Sequence, residues 1–464
     1  MQRLILMAAV LTAALGVPAG SALADPGDLD PTFGGGLVKA DLRDGDAEQV
    51  AVDSVGRVVV AGRVDVSETE YETLILRYTA TGALDPAFGG GDGIVREPLP
   101  VGGTIAIDAS DRILIGGGTE SNHFAVARLT TDGQLDPSFG GGDGLAETTV
   151  PGVTTAVAID GSGRIILQGG SRFMRLTEAG TPEVTFGESG VATLPPGLLP
   201  GGIAIDGAGR ITTAGYVDGS KIGAARLLPG GELDPAFDEN GLVATNIEPG
   251  SSDFEEAMTV DAGSRIVAVG ITFLPSGTDE GQPFIVRYTP SGALDASFAG
   301  DGILTGNDEG RYNDIAIDSE GRLLIVGSSD ELLLDGGDVL ARYLPNGTLD
   351  PTFGGGDGFV PVGFGMGTAV AAAPDERIAV AGDYPIGEGL EFGVARYLGG
   401  DAQNPPSPPQ NPTPVATTPS EPAGTPPLPP PSSKPRPKPK KCKRGFRKKK
   451  VHGKARCVKK HRHP

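Results

Sequence analysis

The sequence predicts an all-β protein: a seven-bladed β-propeller of four-stranded antiparallel blades, closed by its own N-terminal segment and followed by a disordered Pro-rich linker and a basic tail. Three observations predict it. One phrase recurs seven times, each copy holds short β-rich runs between turn residues, and the first and last copies are incomplete in complementary ways. Composition agrees, because 74 Gly and 40 Pro among 464 residues exclude long helical bundles.

The first element reads as an address. Arg3 precedes an apolar stretch from Leu4 that ends in Ala22-Leu23-Ala24 before Asp25, so residues 1–24 are expected to be a signal peptide cut after Ala24. The alternative is an uncleaved N-terminal anchor. No later apolar run approaches the roughly 18 to 20 residues that cross a bilayer, so the mature chain is expected to be secreted or cell-surface associated, with no transmembrane span.

Residues 25–400 carry the repeat. Each copy has a short apolar strand ending in Asp-x-x-Gly-Arg or a near variant, with a second apolar strand after it. A third strand ends in Arg-Tyr or Arg-Leu, and a turn leads into Leu-Asp-Pro-x-Phe-Gly. The Phe falls at Phe33, Phe88, Phe139, Phe186, Phe237, Phe298 and Phe353. The first Arg falls at Arg57, Arg112, Arg164, Arg210, Arg265, Arg322 and Arg377, and the second at Arg77, Arg128, Arg175, Arg226, Arg287, Arg342 and Arg396. A further run after each Phe-Gly turn, Gly36 to Leu42 in the first copy, makes four strands. Runs such as Val58-Val59-Val60-Ala61 are apolar almost throughout, so both faces of the sheet are covered. Blades stacked face to face in a ring meet that requirement, with an open β-solenoid as the runner-up.

The register of the markers predicts closure. An acid follows the second Arg by eight residues in Arg77/Asp85, Arg128/Asp136, Arg226/Asp234, Arg287/Asp295 and Arg342/Asp350, with Glu183 after Arg175. Asp30 has no Arg before it, and Arg396 has no acid after it. The ring is therefore expected to be cut inside a repeat, with Asp30 beside Arg396 and the exposed sheet edges removed.

The phrases Asp53-Ser-Val-Gly-Arg57, Leu76-Arg77-Tyr78 and Leu84-Asp-Pro-Ala-Phe-Gly89 resemble the delta-60 repeat of uncharacterised exported bacterial proteins. The resemblance covers Leu29 to Leu398, departing at Glu183-Val184 and at Ala373, which replaces the turn Asp in the last copy. It implies a propeller in an extracellular setting, and no catalytic residues.

Residues used identically in every blade suit equivalent structural positions: Phe as a plug between blades, Pro fixing a turn, Arg bonded to a carboxylate or turn carbonyl. Ligand binding should instead break the pattern. The longest departures are Asp65 to Tyr71, Glu248 to Glu256, Leu274 to Gln282 and Ser328 to Asp338, expected as loops at one rim. Isolated Gly/Asp turns such as Gly89 to Gly93 lack the nine-residue period of Ca²⁺ β-rolls. No nucleophile elbow, Walker loop, dinucleotide fingerprint or His/Cys ligand cluster occurs in the body, where His123 is the lone histidine. No catalytic residue, metal or cofactor is therefore assigned. Paired carboxylates remain the one enzymatic route, toward a glycan, but seven of the 16 Phe belong to the repeat and there is no Trp.

From Asp401 the composition changes. Residues 401–433 read as an extended linker, and 16 of the 39 positions from Ala402 to Lys440 are Pro. Residues 434–464 hold 16 Lys/Arg and no acid, which takes the net charge of everything before them from −21 to −37. Cys442 and Cys457 are expected to close a basic hairpin around His452-Gly453 with one disulfide. Lys440, Lys441, Lys443, Arg444, Arg447, Lys448, Lys449 and Lys450 are the candidate polyanion contacts: an anionic envelope polymer, lipid surface or nucleic acid read without sequence specificity. The alternative is a tail that folds back on the acidic body. The sequence thus points to an exported, non-enzymatic binding or scaffold propeller with an unknown protein or glycan ligand at a rim. A carboxylate-dependent glycoside hydrolase or lyase is the rival reading.

Overall fold

A computed structural model describes residues 24–400, apart from positions 41, 43–44, 68–69, 97–100, 120, 276–280, 307–308, 330–336 and 387–388. It also describes the strands Phe446–Val451 and Lys454–Lys459. The expected signal peptide (up to residue 23), the linker and most of the tail lie outside the described residues.

Seven four-stranded antiparallel sheets follow one another along the chain. The first blade is built from Gly45–Val52, Val58–Ser67, Glu70–Tyr78 and Ile94–Val95, each hydrogen-bonded to the next. The seventh blade takes its first three strands, Met366–Ala372, Arg377–Ile386 and Gly389–Leu398, from the end of the body and its outer strand, Leu37–Lys39, from the beginning. Leu37 pairs with Ala395 and Leu29 bridges Tyr397, so the N-terminal segment closes the ring as the orphaned markers require.

The apolar strands are covered as a ring of blades demands. Each seam between neighbouring blades has its own core, and each core contains one repeat Phe. Phe88 lies between Val59, Ala61 and Ile75 of the first blade and Ile113, Ile115 and Ala127 of the second. Phe33, contributed by the N-terminal segment, fills the seam between Val58 and Leu76 of the first blade and Ala381 and Val394 of the seventh. All seven repeat Phe are fully buried. Truncating one would cost about 3 to 5 kcal/mol, because both blade faces lose contacts and a cavity is left.

The two faces of the disc are built differently. One, the motif face, carries the turns from inner to second strand and from third to outer strand, which hold the repeat phrases. The opposite, variable face carries the hairpins from second to third strand and the passages from one blade to the next. The described parts of all four departures from the repeat lie on the variable face. Asp65 to Tyr71 takes in the ends of the paired strands Val58–Ser67 and Glu70–Tyr78, while positions 68–69 and parts of 274–282 and 328–338 lie outside the described residues. Glu248 to Glu256 is not one long loop: a turn ends at Ser251 and the inner strand Ser252–Val260 begins there. Polar residues in that stretch hid a strand whose exposed side faces the central cavity.

The chain divides between Ser407 and Pro408. In the second unit Phe446–Val451 pairs antiparallel with Lys454–Lys459, Phe446 opposite Lys459 and Lys448 opposite Cys457. This ladder carries Arg447, Lys448, Lys449 and Lys450. Lys440, Lys441, Cys442, Lys443 and Arg444 lie outside the described residues, and with them the expected Cys442–Cys457 bridge.

Candidate functional site

The motif face is a ring of structural ion pairs. Arg77 Nε donates to Asp85 at 2.9 Å, and Arg128, Arg226 and Arg287 donate to Asp136, Asp234 and Asp295 at 2.8 Å each. Arg342 and Asp350 form an ion pair at 2.8 Å, and Arg175 bonds Glu183. At the closure Arg396 donates to Asp30 at 2.9 Å. Each guanidinium also lies over its repeat Phe, at 4.3 Å for Arg77 over Phe88 and 4.8 Å for Arg226 over Phe237. A second guanidinium nitrogen reaches the next blade, where Arg77 bonds the carbonyl of Thr131 and Arg226 that of Pro290. One arginine thus caps a turn, covers a plug and staples a seam, which demands a planar, multiply donating cation.

The Asp-x-x-Gly-Arg turns and their near variants, such as Asp108-Ala-Ser-Asp-Arg112, work in parallel. Asp108 accepts from the backbone N–H groups of Ser110 and Arg112 at 2.8 and 3.0 Å, and from Arg112 Nε at 2.6 Å. Where Ala373 replaces the Asp, Arg377 donates instead to Asp30 at 2.7 Å. A cavity of about 440 Å³ between the second and third blades includes Asp108, Arg112, Asp160 and Glu178 in its lining. Its charges answer one another, since Arg112 also donates to Glu178 at 2.8 Å.

The axis of the disc differs. The inner strands carry β-bulges, between Ala47 and Gln49, Val101 and Thr104, Pro200 and Gly202, Glu255 and Ala257, Tyr312 and Asp314, and Gly367 and Ala369. Opposite them the second strand has a glycine, because a Cβ would collide with the carbonyl of a residue near the bulge. Gly62 meets Asp46 O, Gly215 meets Leu199 O, Gly270 meets Phe254 O, Gly327 meets Arg311 O and Gly382 meets Met366 O. Bulges of this kind re-aim side chains. In five of these six bulges the bulged residue, Glu48, Gly201, Glu256, Asn313 or Thr368, lines a central cavity of about 320 Å³.

The sequence reading missed this ring, although a signal existed: the fifth residue of the second strand is Gly in six blades, at Gly62, Gly117, Gly169, Gly215, Gly270 and Gly327, and the sixth is Gly382 in the seventh. The residues around the glycines vary from blade to blade. On the fourth and fifth blades the mouth is apolar: Tyr216 and Phe254 stack with centroids 5.1 Å apart, Phe273 meets Phe254 edge-on at 5.8 Å, and Leu199 is 64% exposed. These aromatic residues lie outside the repeat motif, which takes seven of the 16 Phe.

On the sixth, seventh and first blades the mouth is charged. Arg63 pairs with Asp46 at 3.3 Å and Glu48 at 3.4 Å, and Arg311 with Glu256 at 3.6 Å. Asp314 accepts the backbone N–H groups of Ile315 and Val370, each at 2.8 Å, yet burial pushes its carboxyl up to about 7. Asp383 is pushed by burial up to about 6 while accepting from Ala47 N–H at 3.1 Å. Glu255 is pushed up to about 8, first by burial and then by neighbouring Glu256. Among the described residues no cluster of His, Cys, Asp and Glu has the geometry of a metal site, and no helix is long and apolar enough to cross a membrane.

A family model described as "Domain of unknown function (DUF5122) beta-propeller" matches residues 56–88, 109–139, 265–298 and 319–353. Each match runs from an Asp-x-x-Gly-Arg turn or its near variant to the repeat Phe. No curated protein matches the chain. Among solved structures, virginiamycin B lyase from Staphylococcus aureus is 13% identical with a TM-score of 0.45, over 78% of this chain and 98% of that one. The WD40 β-propeller domain of Doa1 is 12% identical with a TM-score of 0.45, over 79% and 96%. A gluconolactonase from Xanthomonas campestris is 12% identical with a TM-score of 0.36, over 70% and 90%. The family matches, the strand order and the seven seams agree: this chain is a β-propeller repeat protein.

Proposed function

We propose that the protein is an exported, non-enzymatic binding module of the delta-60 repeat kind, which takes its ligand at the mouth of the variable face and is tethered to an anionic envelope surface by its basic tail. One observation carries the ligand site: a scaffold repeated around the ring changes its side chains at the axial mouth of one face. Repetition on the motif face serves the seams, whereas a ligand without sevenfold symmetry needs different groups from different blades. The tether rests on the 16 Lys/Arg from Lys434 to the chain end, which attract polyanions in a salt-dependent way. A Cys442–Cys457 disulfide would hold that basic segment together.

Retention on isolated cell envelopes, with and without residues 434–464 and across a salt series, tests the tether. Binding by the full chain alone, released by salt, is expected; equal retention of both forms would overturn it. The second reading, a hydrolase or lyase acting on extracellular glycan, draws on the non-repeated carboxyls at the mouth. It predicts new reducing or unsaturated ends when the protein is incubated with envelope polysaccharide, and the binding reading predicts none.

A further inference from the structure

The seam between the fourth and fifth blades holds a carboxyl that no cation among the described residues answers. Glu255 reaches across this seam, and a Cβ on Gly201 would collide with its Oε2. Its Oε1 is buried without a hydrogen-bond partner. The nearby acids are answered: Glu48 by Arg63, Glu256 by Arg311, Asp314 by two backbone N–H groups. From the fourth blade the carboxyl faces Gly201 and Gly202, which bring no charge; on its own strand it faces Glu256. Phe254, the residue before it, crosses the same seam to stack on Tyr216, and Leu199 pairs with Tyr216 in the ladder.

We propose that this seam binds an organic cation, an ammonium or guanidinium joined to an apolar group, with the charge held by Glu255 and the apolar part lying on Phe254, Tyr216 and Leu199. The proposal rests on the reading of the mouth as the ligand site and names the ligand's class. A buried acceptor without a partner favours a ligand that donates to it. An exposed aromatic beside it favours a cation over a neutral donor, through the ring quadrupole. Gly201 and Gly202 fit the same account, since the missing side chains leave room for the carboxyl beside the central cavity that the two glycines line. Burial keeps Glu255 protonated at neutral pH in the free protein, so a bound cation must displace a proton.

The test is calorimetric titration of the full mature chain at pH 7 with phenethylammonium and with phenethyl alcohol, in two buffers of different ionisation enthalpy. The cation should bind at least about tenfold more tightly than the alcohol, with heats that differ between buffers because protons are released. Glu255→Gln should remove that preference, and Gly201→Ala should weaken it by displacing the carboxyl without deleting it. Both variants should keep the cooperative melt of the parent, and a further variant, Phe254→Leu, keeps the test decisive if either does not. Equal affinity for the two probes, absence of cation binding, or a preference that survives Glu255→Gln would overturn the proposal. The reading of the mouth fails separately, if an envelope-derived ligand protects the motif face instead.

Discussion

At the scale of single residues, the repeated arginines are buried cations with several partners, and their loss should be costly. Arg226 and Asp234 are 2% and 3% exposed. Arg226→Ala is expected to destabilise the propeller by roughly 3 kcal/mol or more, since a buried carboxylate loses its cation. Arg226→Lys should recover only part of this, because an ammonium cannot bond Asp234, reach Pro290 O and cover Phe237 together. Urea unfolding of the two variants checks both.

The carboxyls of the mouth give stability a pH dependence of definite sign. Asp383, Asp314 and Glu255 are raised by burial to about 6, 7 and 8. A raised carboxyl holds its proton more tightly when folded, so its contribution is fully present below the unfolded value and is lost as pH rises through the folded one. Asp30, Asp136, Asp160, Asp206, Asp295 and Asp350 are lowered, because hydrogen bonds and neighbouring arginines outweigh their burial, and their contribution is lost only in acid. The urea midpoint should therefore be higher near pH 5.5 than near pH 8.5 and fall again below about pH 4. Asp314→Asn should flatten the alkaline limb.

At the scale of elements, the decisive feature is the bulge in the inner strand and the glycine opposite it. Gly270→Ala would press a Cβ against Phe254 O, a backbone atom that cannot swing aside. It should cost about 2 kcal/mol or more and alter ligand binding at the mouth. Gly207→Ala, with open space around its Cβ, should stay within about 0.5 kcal/mol of the parent. Thermal melts of the pair separate a bulge effect from a general glycine effect.

The same element explains what the sequence reveals and what it hides. The Arg, Asp and Phe markers are legible because each does the same physical work in every blade, so repetition discloses them. The mouth is hidden for the complementary reason: Asp46, Leu199, Phe254, Arg311 and Met366 occupy related positions but differ in charge, size and shape, and only the glycine opposite them recurs. Glu248 to Glu256 reads as a solvated loop because a strand facing a polar cavity has a polar composition.

At the scale of the whole molecule, one carboxylate joins the two ends of the body. Asp30 accepts from both Arg377 and Arg396, and its N–H donates to Arg396 O at 2.7 Å. Asp30→Ala should thus cost more than Asp234→Ala, whose carboxylate serves one cation, and should make the ring open first at the seam of Phe33. Limited proteolysis that cuts near residue 33 before any other site within residues 25–400 is the expected result.

The motif face holds the ring together and the variable face is left to bind, a division that hydrogen exchange can read. The mature protein is compared alone and with a soluble digest of cell envelopes. Protection concentrated in Ser252–Val260, Gly310–Ile317 and the hairpins of the variable face is the predicted result. Protection of the Asp-x-x-Gly-Arg turns, with the mouth unchanged, would contradict it and place the ligand on the face that the repeat has written.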